Sequence, residues 1–207
     1  AALLATEAGL LGLATEADRW VIKRLDEAGQ AIETWPVAPV AGERTAQLHP
    51  MGDGVLVALG EDLRLVHLSP AGEPRFDVRP LADGPWSLHA LSPDERWLAY
   101  RRDGVGWLAP IADDGTLGPA WRTEGRVTAL VRLPSTWLLG LVSGGWQFFG
   151  ADGPIGQPIP APDVVAMAPV GDQVVWQAQL AGDDYVAWGV PCRPDRVAAG
   201  LGEACGA

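Results

Sequence analysis

Ser92-Pro93-Asp94-Glu95-Arg96-Trp97-Leu98-Ala99-Tyr100-Arg101-Arg102-Asp103-Gly104-Val105-Gly106-Trp107-Leu108-Ala109-Pro110-Ile111-Ala112-Asp113-Asp114-Gly115 holds the pattern that decides the fold. A Pro-Asp turn leads into the short apolar run Trp97-Leu98-Ala99-Tyr100, a charged loop follows, and the second run Val105-Gly106-Trp107-Leu108 leads to an Asp-Asp-Gly turn. Short β-rich runs bounded by Gly, Pro and Asp read as strands joined by hairpins.

The closing turn recurs outward in both directions. Asp26-Glu27-Ala28-Gly29, Ser69-Pro70-Ala71-Gly72, Asp113-Asp114-Gly115 and Asp152-Gly153 place glycines at intervals of 43, 43 and 38. Seven positions before each glycine stand Ile22, Leu65, Leu108 and Trp146; four before, Leu25, Leu68, Ile111 and Phe149; six after, Trp35, Val78, Trp121 and Ile159. All are large and apolar, so each glycine is expected at a hairpin tip, in the positive-φ conformation that glycine adopts without strain. A second hairpin precedes each, turning at Pro50-Met51-Gly52-Asp53-Gly54, Pro93-Asp94-Glu95-Arg96, Pro134-Ser135-Thr136 and Pro169-Val170-Gly171-Asp172. The runs after these turns, such as Val55-Leu56-Val57-Ala58-Leu59, are continuously apolar, as in strands covered on both faces. A first unit fits around Glu7-Ala8-Gly9, and a fifth through Tyr185-Val186-Ala187-Trp188-Gly189-Val190, with a last turn near Arg193-Pro194-Asp195.

Five units of about 41 residues, each of four short antiparallel strands, predict an all-β protein, a β-propeller of about five blades. The expected blades are 1–44, 45–85, 86–125, 126–162 and 163–190 onward, with 191–207 as a tail closing the last blade. The run from Ser92 to Tyr100, with Gly104-Val105-Gly106-Trp107-Leu108 and Asp113-Asp114-Gly115, resembles the repeat of bacterial WD40-like propellers of the TolB type. The Gly-His and Trp-Asp dipeptides of strict WD40 repeats are missing. Six to eight blades are commoner in that family, and no spare strand is left to close the ring by overlap. The chain is therefore expected to be a portion of a larger propeller, a closed five-bladed ring being the alternative.

Composition narrows the functional classes. The 26 Gly and 18 Pro, spread evenly, leave no long uninterrupted helix. A net charge of −11 supplies neither the cationic surface of a nucleic-acid binder nor a patch for anionic lipid. The opening Ala1-Ala2-Leu3-Leu4-Ala5 is broken by Thr6-Glu7 and the first cation is Arg19, so neither a signal peptide nor a membrane span is read there. Asparagine is absent and Lys23 is the only lysine. Cys192 and Cys205, the only cysteines, are expected to pair and staple the tail by roughly 3 kcal/mol, unpaired cytosolic thiols being the alternative.

Several motifs carry no chemistry. Gly104-Val105-Gly106-Trp107-Leu108-Ala109 matches a dinucleotide fingerprint on paper, but Pro110 forbids the helix it needs. His49, His67 and His89 fall out of the repeat register and are expected solvated or strand-facing, and Asp113-Asp114 and Asp183-Asp184 read as turn formers. No Gly-x-Ser-x-Gly elbow occurs. Eight tryptophans fall inside expected strands, leaving Trp20 and Trp86 at strand edges as candidate exposed contacts.

The resemblance implies binding on the face formed by the loops between second and third strands and the blade connectors. Arg19, Trp20, Trp86, Arg101, Arg102 and Asp103 are the expected contact residues, because Arg and Trp dominate interface hot spots. The expected function is a non-catalytic scaffold binding other protein chains, without cofactor, metal, nucleic acid, membrane insertion or small-molecule ligand. The alternative is a propeller enzyme or lid, lactonase-like or peptidase-gating; that reading needs polar groups on innermost strands that here read Thr45-Ala46-Gln47-Leu48 or Val164-Val165-Ala166-Met167. The cysteine pair and the TolB-type resemblance place the chain outside the cytoplasm, the cytoplasm being the alternative.

Overall fold

The computed structural model describes residues 2–6, 9–40, 46–60, 63–80, 83–92, 94–133, 136–142, 145–160, 163–170, 173–180 and 183–189. Cys192, Cys205 and the turn expected at Arg193-Pro194-Asp195 lie outside them. The described residues form antiparallel sheets and no helix. The first sheet runs β1 (Ala2–Thr6), β2 (Gly9–Glu16), β3 (Arg19–Leu25), β4 (Ala31–Pro39); the second β5 (Ala46–Met51), β6 (Gly54–Leu59), β7 (Arg64–Leu68), β8 (Pro74–Val78). The third holds β9 (Asp83–Ser92), β10 (Glu95–Arg102), β11 (Val105–Pro110), β12 (Trp121–Thr123); the fourth β13 (Arg126–Arg132), β14 (Trp137–Val142), β15 (Gly145–Gly150), β16 (Gly153–Ile159). The fifth has three described strands, β17 (Asp163–Val170), β18 (Gln173–Leu180) and β19 (Asp183–Gly189). Each sheet is a meander of consecutive strands, the blade of a propeller.

The repeat counted in the sequence is a repeat of turns. Asp26 N–H donates to Gln30 O and Gly29 N–H to Asp26 O; 43 residues on, Ser69 donates to Glu73 and Gly72 to Ser69; 43 further, Ala112 donates to Thr116 and Gly115 to Ala112. Gly29, Gly72 and Gly115 take φ of 76°, 78° and 82°. Side chains cap the first two turns: Asp26 Oδ1 accepts from Ala28 N and Gln30 N at 3.0 and 2.7 Å, and Ser69 Oγ from Ala71 N and Glu73 N at 3.3 and 3.1 Å. In the third, Ala112 offers no cap, and Asp114 Oδ1 accepts instead from Thr116 N at 2.9 Å. The fourth turn is shorter: Gly150 pairs directly with Gly153, whose φ is 115°.

Three of these glycines are also points of close approach. A Cβ on Gly72 would run into the Trp35 ring, one on Gly115 would come within 2.7 Å of Phe76 and Val78, and one on Gly153 within 2.8 Å of Trp121. Trp35, Val78 and Trp121 are the apolar residues six positions after the preceding glycine. Each therefore packs on the turn of the next unit.

The chain divides into two compact units, Ala1–Leu98 with Pro110–Pro119, and Ala99–Ala109 with Ala120–Ala207. In the first, Leu11, Leu13, Trp20, Ile22, Val57, Leu59 and Leu68 form one buried cluster. In the second, Val131, Leu138, Phe148, Val164 and Trp176 form another, with Trp146 edge-on to Trp176 at 5.1 Å. β6 is buried at every position, as its unbroken apolar run requires. Ile22, Leu65, Leu108 and Trp146 are all buried.

Candidate functional site

The expected contact residues separate when placed. Arg101, Arg102 and Asp103 occupy the tip between β10 and β11, where Asp103 (φ 54°) and Gly104 (φ 78°) form a two-residue turn with both φ positive. Arg101 is exposed, with Nη2 donating to Gly104 O at 3.3 Å, and the Arg102 guanidinium lies 5.1 Å from the Trp107 ring centroid. Arg19 is exposed at the start of β3. Trp20 departs from the expectation: it is 7% exposed and belongs to the buried cluster of the first unit, so it is not a contact anchor. Asp18-Arg19 marks its position as an edge in the sequence, but β3 begins at Arg19 and Trp20 pairs with Thr15, which brings the indole inside. Trp86 is half-buried and donates its Nε1–H to Gly60 O at 2.9 Å.

Polar groups gather instead beside the turns β5–β6 and β9–β10, within the first unit. There a cleft of about 280 Å³ opens, its buried lining provided by Met51, His67, Arg96 and Ile111. Arg75, Asp94 and Asp113 stand exposed along it. Arg75 holds Asp53 bidentately, at 2.5 and 2.9 Å, and this pair keeps the Asp53 carboxyl below and the Arg75 guanidinium above their ordinary pKa values. Arg96 is 2% exposed; burial lowers its pKa, opposed by the charges of Asp94 and Asp113. His67, 5% exposed, donates Nε2–H to Met51 O at 3.2 Å, and its Nδ1 is buried with no hydrogen-bond partner among the described residues. Burial pushes its pKa down, so the ring is neutral and Nδ1 is an acceptor.

His49 on β5 and His89 on β9 extend this group. His49 Nε2 is 3.2 Å from Gln47 Oε1, and His89 Nε2 is 3.0 Å from Ser87 Oγ. Burial brings both rings down to about 4, with the charge of Arg96 adding to the effect on His49 and that of His49 on His89. The histidines expected as solvated or strand-facing are thus half-buried at 49 and 89 and buried at 67. Among the described residues no three His, Cys, Asp or Glu gather in a metal-binding group. Arg96 is the buried cation of β10, between Glu95 on one side and the apolar Trp97 and Leu98 on the other.

No protein-family model and no curated protein matches the chain. Solved structures do. The propeller domain of Cps50 (Swd1) from Myceliophteria thermophila superposes with a TM-score of 0.60 at 16% identity, over 94% of this chain and 68% of that one. The WD40 domain of Neurospora crassa Pan2 gives 0.59 at 11%, over 90% and 59%. BBS1N, solved in complex with ARL6DN, gives 0.56 at 14%, over 89% and 63%. The chain thus spans less than two thirds of BBS1N and of the Pan2 domain, and it shares with all three the β-propeller fold.

Proposed function

We propose that the chain is a non-catalytic propeller scaffold that docks other protein chains within a larger assembly. The observation that carries this reading is the repeated blade with charged hairpin tips, of which the one with the exposed Arg101 and Asp103 and the half-buried Arg102 is the clearest, on buried apolar clusters. A neighbour of the same fold, BBS1N, was solved with a protein bound to it, which lends the reading support. Native mass spectrometry of the protein taken from its source tests it. A stable complex with other chains is the expected result; a lone monomer carrying a metal or small molecule overturns it.

The run from Ser92 to Tyr100 favours the TolB type of repeat. The proposal includes a pairing of Cys192 with Cys205 and, with it, a location outside the cytoplasm. Thiol titration of the unreduced, denatured protein checks that location: no titratable thiol is expected, and two point to the cytoplasm.

A further inference from the structure

The four turn glycines hold the same position in the repeat and differ in what covers them. Gly115 and Gly153 are buried and Gly72 is half-buried, each against a large side chain of the sheet before it: Val78, Trp121 and Trp35. Gly29 is exposed, with nothing among the described residues within 4 Å of a Cβ placed on it. The apolar residue four positions before each glycine repeats the contrast. Leu68, Ile111 and Phe149 are buried, Leu68 inside the cluster shared with the first sheet and Phe149 edge-on to Trp121, ring centroids 6.4 Å apart. Leu25 is half-buried. Strand pairing makes Leu25 part of a continuous face: it lies opposite Leu10, Leu10 opposite Ala5, and the neighbouring row runs Leu3, Gly12, Lys23. A Cβ on Gly12 would stand 3.4 Å from Leu3 and 3.6 Å from Leu25, so both leucines flank it. The other face of these strands, with Leu11, Leu13 and Ile22, is buried against the second sheet. On this one Leu3 is 66% exposed, Ala5 is exposed, and the one cation, Lys23, is neutralised by Glu16 at 2.5 Å. Among the described residues the first sheet thus keeps an uncovered apolar face at the register where the later sheets are covered.

We propose that this face seats an antiparallel β-sheet of a partner protein, packed on the first sheet as the first packs on the second, with one large apolar side chain of the partner over Gly29 and against Leu25. The chemistry of the occupant is read from the equivalent positions, where the cover is each time a residue of a fourth strand: Trp35 of β4, Val78 of β8 and Trp121 of β12. A second copy of the chain fits less well, because the contact would bring together two chains that each carry a net charge of −11. The inference rests on the scaffold reading and gives its partner a chemistry: a chain that contributes a sheet with an apolar face. It also moves the contact from the β10–β11 tip to the first sheet.

The test begins with the full chain in its source cells, carrying the photoreactive substitution Leu3→p-benzoylphenylalanine or, as a control, Ala120→p-benzoylphenylalanine at an exposed loop position. Irradiation should join position 3 to a different polypeptide, at a β-strand residue of that polypeptide, and position 120 should not give this product. No product from position 3, a join within the same polypeptide or to a second copy, a join to a helix or loop, or the same product from position 120 each overturns the proposal. Native mass spectrometry of Leu3→Glu and Ala120→Glu then measures how far the complex depends on the face. Both positions are exposed, so both variants fold, which their thermal transitions verify. Leu3→Glu places a charge on the apolar face and should weaken the complex about tenfold, whereas Ala120→Glu should leave it unchanged. Gly29→Ala adds a methyl group that meets open space in the lone chain, and it should weaken the complex by a similar factor because the seated side chain would collide with it, as Trp35 would with a Cβ on Gly72. A complex undiminished in Leu3→Glu or in Gly29→Ala, or equally weakened in Ala120→Glu, overturns the docking face and leaves the scaffold standing. The absence of any complex overturns the scaffold reading and the face with it.

Discussion

The turns at Gly72 and Gly29 have the same hydrogen bonds and nearly the same φ, yet they occupy different surroundings. Gly72 lies against the Trp35 ring, while nothing stands within 4 Å of a Cβ placed on Gly29. The contrast separates two reasons for glycine that a sequence motif merges: backbone conformation, required at both positions, and space for the neighbouring unit, required at Gly72. The turn at Gly153 supports the distinction. Its hydrogen bonding differs and its spacing has shortened from 43 to 38, but Trp121 still packs on it. The packing, more than the turn, fixes the repeat.

Substitution by alanine breaks the comparison most directly. Gly72→Ala adds steric conflict with Trp35 to left-handed strain and should destabilise by about 3 kcal/mol, whereas Gly29→Ala carries the strain alone, about 1 kcal/mol. Urea denaturation of the two variants measures the difference. Equal losses would falsify the packing argument. In a Trp35→Ala background the excess cost at Gly72 should largely disappear, as a double-mutant cycle reads out.

Acid sharpens the contrast at the level of units. All three histidines fall between residues 49 and 89, and none lies in 120–189. His49 and His89 have folded values of about 4 against 6.5 in the unfolded chain. The unfolded state therefore takes up protons first as pH falls. Their contribution to stability is complete above about pH 6.5 and is lost through the window down to about pH 4. A loss of about 2 kcal/mol for each ring, about 4 kcal/mol for the two, is expected by pH 5. Amide exchange at Ser69–Gly72 should accelerate accordingly between pH 7 and 5, after correction for intrinsic rates, while exchange at 150–153 stays level. Uniform acceleration would mean that the histidines are not its source.

Much of the architecture was legible in the chain because the glycine period and its apolar companions at −7, −4 and +6 each correspond to a physical contact. Ile22, Leu65, Leu108 and Trp146 are buried in succession, and Trp35, Val78 and Trp121 each meet a following turn. The candidate site was not legible in the same way. Trp20 reads as an edge residue because charges precede it, and only strand pairing shows it inside. Arg96 reads as the end of a turn, Pro93-Asp94-Glu95-Arg96, although β10 has already begun there and buries it. The cleft draws on residues separated by up to 62 positions, from Met51 to Asp113, so no local pattern announces it.

The smallest effects concern the caps. Asp26→Ala removes the acceptor for two backbone N–H groups of an exposed turn and should cost about 1 kcal/mol. Ala112 stands at the same register in the third turn, exposed and without a cap of its own. Ala112→Ser places a hydroxyl where Ser69 carries one, within reach of the Asp114 and Thr116 N–H groups. Thr116 N–H is already held by Asp114 Oδ1, so only one of the two bonds is new, and the expected gain is about 0.5 kcal/mol. Thermal denaturation of Ala112→Ser alone and combined with Asp114→Ala measures both halves of the argument. The serine should add little while Asp114 is present and recover part of the loss when Asp114 is removed. If it recovers nothing, the third turn differs from the first two in more than its missing side chain, and the 43-residue equivalence of the three turns stops at their backbone.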